Sequence, residues 1–143
     1  MKHALEVVKV MTPFPHAIDS SLSLEDAEKK LMEHRNDLLP VTTGDFPSAI
    51  LTRRDLEIAK TLRAGTEGPT LIKDLGLPAP YIVEPTEQLA AVLSRMLREK
   101  LEAALVVKKG RIVGIFTYTD AYSVLLKFLS GSFSLFSPPD ISA

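Results

Sequence analysis

The chain has 143 residues, 45% of them apolar and 24% charged, with no cysteine, no tryptophan and a formal charge of −1. This length suits one compact domain or two small units sharing a core, and so apolar a chain with balanced charge buries enough surface to fold. The composition excludes disulfides and cysteine-based zinc or nucleophile chemistry, offers no basic field for nucleic acid, and contains no run of about 18–20 apolar residues to span a membrane, so a cytoplasmic, membrane-free chain is expected.

In chain order, residues 1–11 predict a short helix that pads one half. His16 to Ile18 reads as an extended piece, and Ser21 then caps an amphipathic helix carrying Leu24, Ala27, Leu31 and Met32 at helical spacing. Two β-rich runs follow, Leu38 to Thr42 and Ser48 to Thr52, and a second helix from Arg53 to about Ala64. A Gly/Pro-containing linker over 64–71 leads to the same succession again. Tyr81 to Val83 is extended, Thr86 caps a helix with Leu89, Val92, Leu93, Met96 and Leu97, and a hairpin joins Ala103 to Val107 with Ile112 to Thr117. A last helix runs from Tyr118 to about Leu129.

Sliding the chain by 65 positions superposes the two halves without a gap: Pro13 on Pro78, Pro15 on Pro80, Leu24 on Leu89, Val41 on Val106, Ile50 on Ile115, Thr52 on Thr117 and Asp55 on Asp120. These identities sit at element ends, as a duplicated fold leaves them. The expected architecture is α/β (α+β), two β-α-β-β-α repeats over 1–63 and 72–130, with a Ser/Pro-containing tail over 131–143. Each half is too small to be stable alone, so the two sheets should bury one face on each other.

Val10-Met11-Thr12-Pro13, Leu38-Leu39-Pro40-Val41, and the paired endings Ala49-Ile50-Leu51-Thr52-Arg53-Arg54-Asp55 and Gly114-Ile115-Phe116-Thr117-Tyr118-Thr119-Asp120 resemble the tandem CBS domain pair, or Bateman module. The resemblance implies two repeats about a pseudo-twofold axis, two clefts that bind adenosine-containing ligands (AMP, ADP, ATP, with S-adenosylmethionine open as a less charged choice), and a homodimer of such modules acting on a separate effector.

In each Thr-x-x-Asp pair an ionised carboxylate can accept from both ribose hydroxyls, beside a helix N-terminus that favours an anion. The same spacing also makes a helix cap needing no ligand. By the resemblance, Thr117 and Asp120 hold ribose in one cleft, with the base against Pro15, His16, Ala17 and Ile115. Thr52 and Asp55 do so in the other, with Pro80, Tyr81, Ile82 and Ile50. Arg54, with Arg53 beside it, is the expected phosphate ligand of the Asp120 cleft. Asp37 and Glu102 stand where similar proteins carry basic residues, and would repel phosphate.

No phosphate loop, nucleophile elbow or metal-ligand spacing is present, and His3, His16 and His34 lie on different elements, so neither an enzyme nor a metal site is expected. Two functions compete. One is a ligand-sensing regulatory module; the other is a ligand-free dimerisation scaffold using Leu125, Phe128, Leu129, Phe133 and Phe136 as its apolar surface.

Overall fold

A computed structural model describes residues 5–132. His3, Phe133, Leu135 and Phe136 lie outside the described residues, as does most of the 131–143 tail. A 3-10 turn (Val7–Lys9) precedes β1 (Thr12–Pro13), β2 (Ile18–Asp19), α1 (Leu24–His34), β3 (Leu38–Thr43), β4 (Phe46–Thr52) and α2 (Arg53–Leu62). A second 3-10 turn (Ile72–Leu75) precedes β5 (Ile82–Val83), α3 (Leu89–Glu99), β6 (Ala103–Lys108), β7 (Arg111–Thr117) and α4 (Tyr118–Ser132). One sheet has the order β2-β3-β4, the other β1-β7-β6-β5. No described helix is long and apolar enough to cross a membrane.

Two expected caps are placed differently. Ser23, not Ser21, caps α1, exchanging bonds with Asp26 in a capping box. Ser21 instead turns back on Asp19, and its hydroxyl and amide hold that carboxyl below the ordinary carboxylate range. Thr86 likewise stands outside α3, whose cap is Gln88 without a side-chain bond. The Leu89 N–H is satisfied instead by the Leu5 carbonyl, 2.8 Å away. The helix expected over 1–11 is, among the described residues, only the turn Val7–Lys9.

The 65-residue offset reappears in the hydrogen bonds between the halves. Val7 N–H donates to Glu87 O and Ile72 N–H to Leu22 O; Val8 donates to Pro85 O and Lys73 to Ser20 O; Leu89 donates to Leu5 O and Leu24 to Thr70 O. Both hairpins carry a register shift at the corresponding step, Val41/Thr42 and Val106/Val107. Each half thus lends its lead-in segment to the other. Val7 is buried in the second core with Val83, Val92, Met96 and Phe116, while Ile72 is buried in the first with Leu31, Leu39, Leu51 and Leu56.

Alternation along β3 and β4 sends Leu39, Val41, Ala49 and Leu51 toward the helices. Leu38 and Ile50 join the opposite cluster, with Ala103, Leu105 and Ile115 of the second half, so the sheets bury one face on each other as expected. The two helix-covered cores differ in their residues. The cross-strand pair Leu39↔Leu51 of the first becomes Ala104↔Phe116 in the second, one side chain growing as its partner shrinks.

One element breaks the symmetry. β1 adds an antiparallel edge to the second sheet, pairing Thr12 with Ile115 and Pro13 with Gly114, whereas the first sheet ends at β4. The strap explains a sequence difference between the repeats. A Cβ on Gly114 would collide with the Met11 thioether, whereas the corresponding residue, Ala49, lies in the sheet without that added strand. Gly114→Ala is expected to cost about 1 kcal/mol, the low end for overpacking, because the Met11 thioether is the movable end of a flexible side chain. Met11→Ala should restore part of that loss in a double-variant cycle of urea denaturations, and additive losses would contradict the contact.

Candidate functional site

Two strand ends turn directly into helices. Thr52 and Thr117 terminate β4 and β7, and Asp55 and Asp120 stand three residues on, in the first turns of α2 and α4. Both pairs form capping boxes. Thr52 N–H donates to Asp55 Oδ2 at 3.0 Å and Thr117 N–H to Asp120 Oδ2 at 2.9 Å, while each Thr hydroxyl accepts from the Asp N–H. The capping arrangement is therefore present in both repeats. A carboxylate oxygen accepts two hydrogen bonds, so a capped Asp retains capacity for a ligand.

A cleft of about 440 Å³ opens at Asp120. Its walls come from three places: 12–16 from the strap, 35–37 from the turn between α1 and β3 with Leu38 and Pro40 of β3, and Ile115 with 117–120 from the end of β7 and the start of α4. It brings together five of the residues expected there, Pro15, His16, Ile115, Thr117 and Asp120. Ala17 is half-buried beside them and does not line it. Thr12 Oγ1 donates to Asp120 Oδ1 at 2.9 Å and pins the strap to α4. The ring of His16 stacks on His34, with centroids 3.7 Å apart and planes 14° from parallel.

The other expected cleft is assembled differently. The cavity at Asp55, about 170 Å³, is lined by Ile58, Ala59, Leu62, Arg63, Leu75 and Leu77. Thr52, Ile50, Pro80, Tyr81 and Ile82 do not line it. Ile50 packs in the interface between the sheets. Tyr81 leans on the second core with the Arg95 guanidinium 4.4 Å above its ring, and burial pushes its hydroxyl up from the usual phenol range.

The expected phosphate ligands are also elsewhere. Arg54 Nη1 lies 3.3 Å from Glu102 Oε1, and Arg53 Nε lies 3.3 Å from Asp37 Oδ1 and also holds the Asn36 carbonyl. Neither Arg lines the cleft. The acids read as repelling phosphate are the partners of these two cations, which explains both departures together. The cation in the cleft wall is Arg35, which sequence reasoning missed. It caps the C-terminus of α1 at φ 51°, and a left-handed cap on a basic residue gives no local sequence signal.

A duplicated α/β unit with exchanged lead-in segments and a cleft walled by both halves defines a tandem-repeat domain pair. The chain belongs to the CBS domain family, whose model matches residues 7–59 and 72–127. It is 32% identical over 101 residues to an inosine-5'-monophosphate dehydrogenase of Korarchaeum cryptofilum; the match covers 70% of this chain and 20% of that one. The chain therefore spans about a fifth of that curated relative. In fold it is similar to an acetoin utilization protein of Vibrio cholerae, with TM-score 0.78, 23% identity, and coverage of 96% of this chain and 100% of that one. It is also similar to CBSX2 in complex with AMP, with TM-score 0.71, 26% identity, and coverage of 86% and 97%.

The two Asp residues separate capping from cleft chemistry. Asp55→Ala and Asp120→Ala should each lower stability by about 1 kcal/mol through the lost capping box, read as a melting-temperature drop of about 2–4 °C. The loss should be larger for Asp120, which also releases the strap at Thr12. Equal losses would contradict a strap held by that bond.

Proposed function

We propose that this CBS pair binds an adenosine-containing ligand of the AMP, ADP or ATP class in the Asp120 cleft, with S-adenosylmethionine as the less charged alternative. The observation that carries the reading is the gathering of Thr117, Asp120, Ile115, Pro15 and His16 around one cavity of about 440 Å³, a volume in the ordinary range for small-molecule sites. One ribose hydroxyl donates to Asp120 Oδ1, which beside the bond from Thr12 has one acceptor position left. The base lies against Pro15, His16 and Ile115. The 5' group meets the Arg35 guanidinium and the N-terminus of α4, which together favour an anion. The AMP complex of CBSX2 supports the ligand class.

The signal we infer is a change in the relative orientation of the repeats. The cleft wall at 35–40 belongs to the first repeat and the wall at 115–120 to the second, so a ligand touching both shifts the balance toward whichever orientation it binds more tightly. The output passes to a second copy or a separate effector in the cytoplasm. Dimerisation has its own support. α4 exposes Tyr122, Leu125, Leu126 and Phe128, a contiguous apolar surface on one helix. The scaffold role and the sensing role use different faces and hold together.

Thermal melting with AMP, ADP, ATP and S-adenosylmethionine at 1 mM tests the sensing role. At least one should raise the melting temperature by several degrees, as expected for a ligand at about 100 times its Kd. Asp55→Ala should retain that shift and Asp120→Ala should lose it. No shift with any of the four would leave the scaffold role alone.

A further inference from the structure

Among the described residues, Phe14, Arg35, Lys100 and Lys109 are the non-glycine residues with positive φ. Three have a local backbone reason. Arg35 and Lys100 close α1 and α3 as left-handed caps, donating to carbonyls of the last turn, and Lys109 turns the hairpin between β6 and β7 beside Gly110. Phe14, at φ 44°, closes no helix and turns no hairpin. It follows β1, with its N–H bonded to Val113 O at 3.0 Å, and a bulky side chain there is strained where Asn or Gly is tolerated.

Burial does not compensate for that strain, since Phe14 is 77% exposed. An exposed aromatic ring on strained backbone gains little in the free chain, which marks it as a residue whose contact comes from outside the chain. Its position says which contact. Phe14 lines the Asp120 cleft between Pro13 and Pro15, on the same strap whose Thr12 holds Asp120. The neighbouring ring, His16, already has one face covered by His34, so Phe14 is the cleft aromatic with the most uncovered surface.

The geometry points to Phe14 as the aromatic cover of the cleft, stacking on the base of the bound nucleoside and selecting ligands that carry one. This assignment rests on the proposed ligand reading and adds to it a residue that neither capping nor core packing accounts for. The strap is thereby coupled to occupancy: a base held under Phe14 tightens the segment that runs from the second sheet into β2 of the first.

The test compares wild type, Phe14→Asn and Phe14→Tyr for AMP, for ribose 5-phosphate, which has no base, and for unliganded melting. Phe14→Asn should leave the unliganded melting temperature unchanged or raise it, because Asn accepts left-handed backbone. It should weaken AMP by about ten-fold, the scale of one lost stacking contact. Ribose 5-phosphate affinity should not change, and Phe14→Tyr should bind AMP as wild type does. Wild-type affinity for AMP in Phe14→Asn overturns the assignment while leaving the ligand reading intact. A fall of several degrees in unliganded melting also overturns it, by showing that the ring packs within the chain or against a second copy. A wild type that binds none of AMP, ADP, ATP and S-adenosylmethionine removes the ligand reading and this assignment together.

Discussion

Everything in this molecule depends on the exchange of lead-in segments between two small cores. Val7 and Ile72 are each buried in the half they do not precede, held by backbone bonds that recur at the same 65-residue offset. Neither half is large enough to fold well alone, and neither closes its core without a segment of chain that leads into the other. The exchange ties the relative placement of the repeats to the completeness of both cores. A change of orientation between them must therefore strain the crossing segments, and the one that carries Val7 continues into 12–16 along the Asp120 cleft.

The duplication makes the frame and a single strand makes the site. β1 extends one sheet only, and in doing so it places 12–16 along one side of the Asp120 cleft, with the Met11 side chain seated against Gly114. The corresponding stretch before the second repeat, at Leu77, packs on the first core instead. Symmetric chemistry at Thr52/Asp55 and Thr117/Asp120 thus stands in unequal surroundings. The charge arrangement follows the same logic. Arg53 and Arg54 neutralise Asp37 and Glu102, exposed pairs worth little in stability, and Arg35 is left in the cleft wall.

The frame was legible because duplication writes backbone requirements twice. The strand ends at Thr52 and Thr117, the hairpin between Ala103 and Thr117, and the positions of the five expected residues that line the Asp120 cleft were readable from the sequence, whereas Ile50, expected against a base, packs between the sheets. Ser21 was expected to cap α1 and Ser23 does so, because Asp26 stands three residues beyond Ser23 while Ser21 turns back on Asp19. Arg54 stands outside the cleft lining and pairs with Glu102, a partner distant in sequence and close only after folding. Arg35 and Phe14 were missed for a common reason: both owe their position to left-handed backbone, for which neither residue type is a signal.

A crystal structure of the chain grown with AMP tests the central claim most directly, that one of two duplicated sites has been built into a ligand cleft by an asymmetric strap. One AMP per chain is expected, its ribose on Asp120 and its base against the 14–16 strap, with the Asp55 side empty. AMP on the Asp55 side, equal occupancy of both sides, or an empty Asp120 cleft at saturating nucleotide would contradict it.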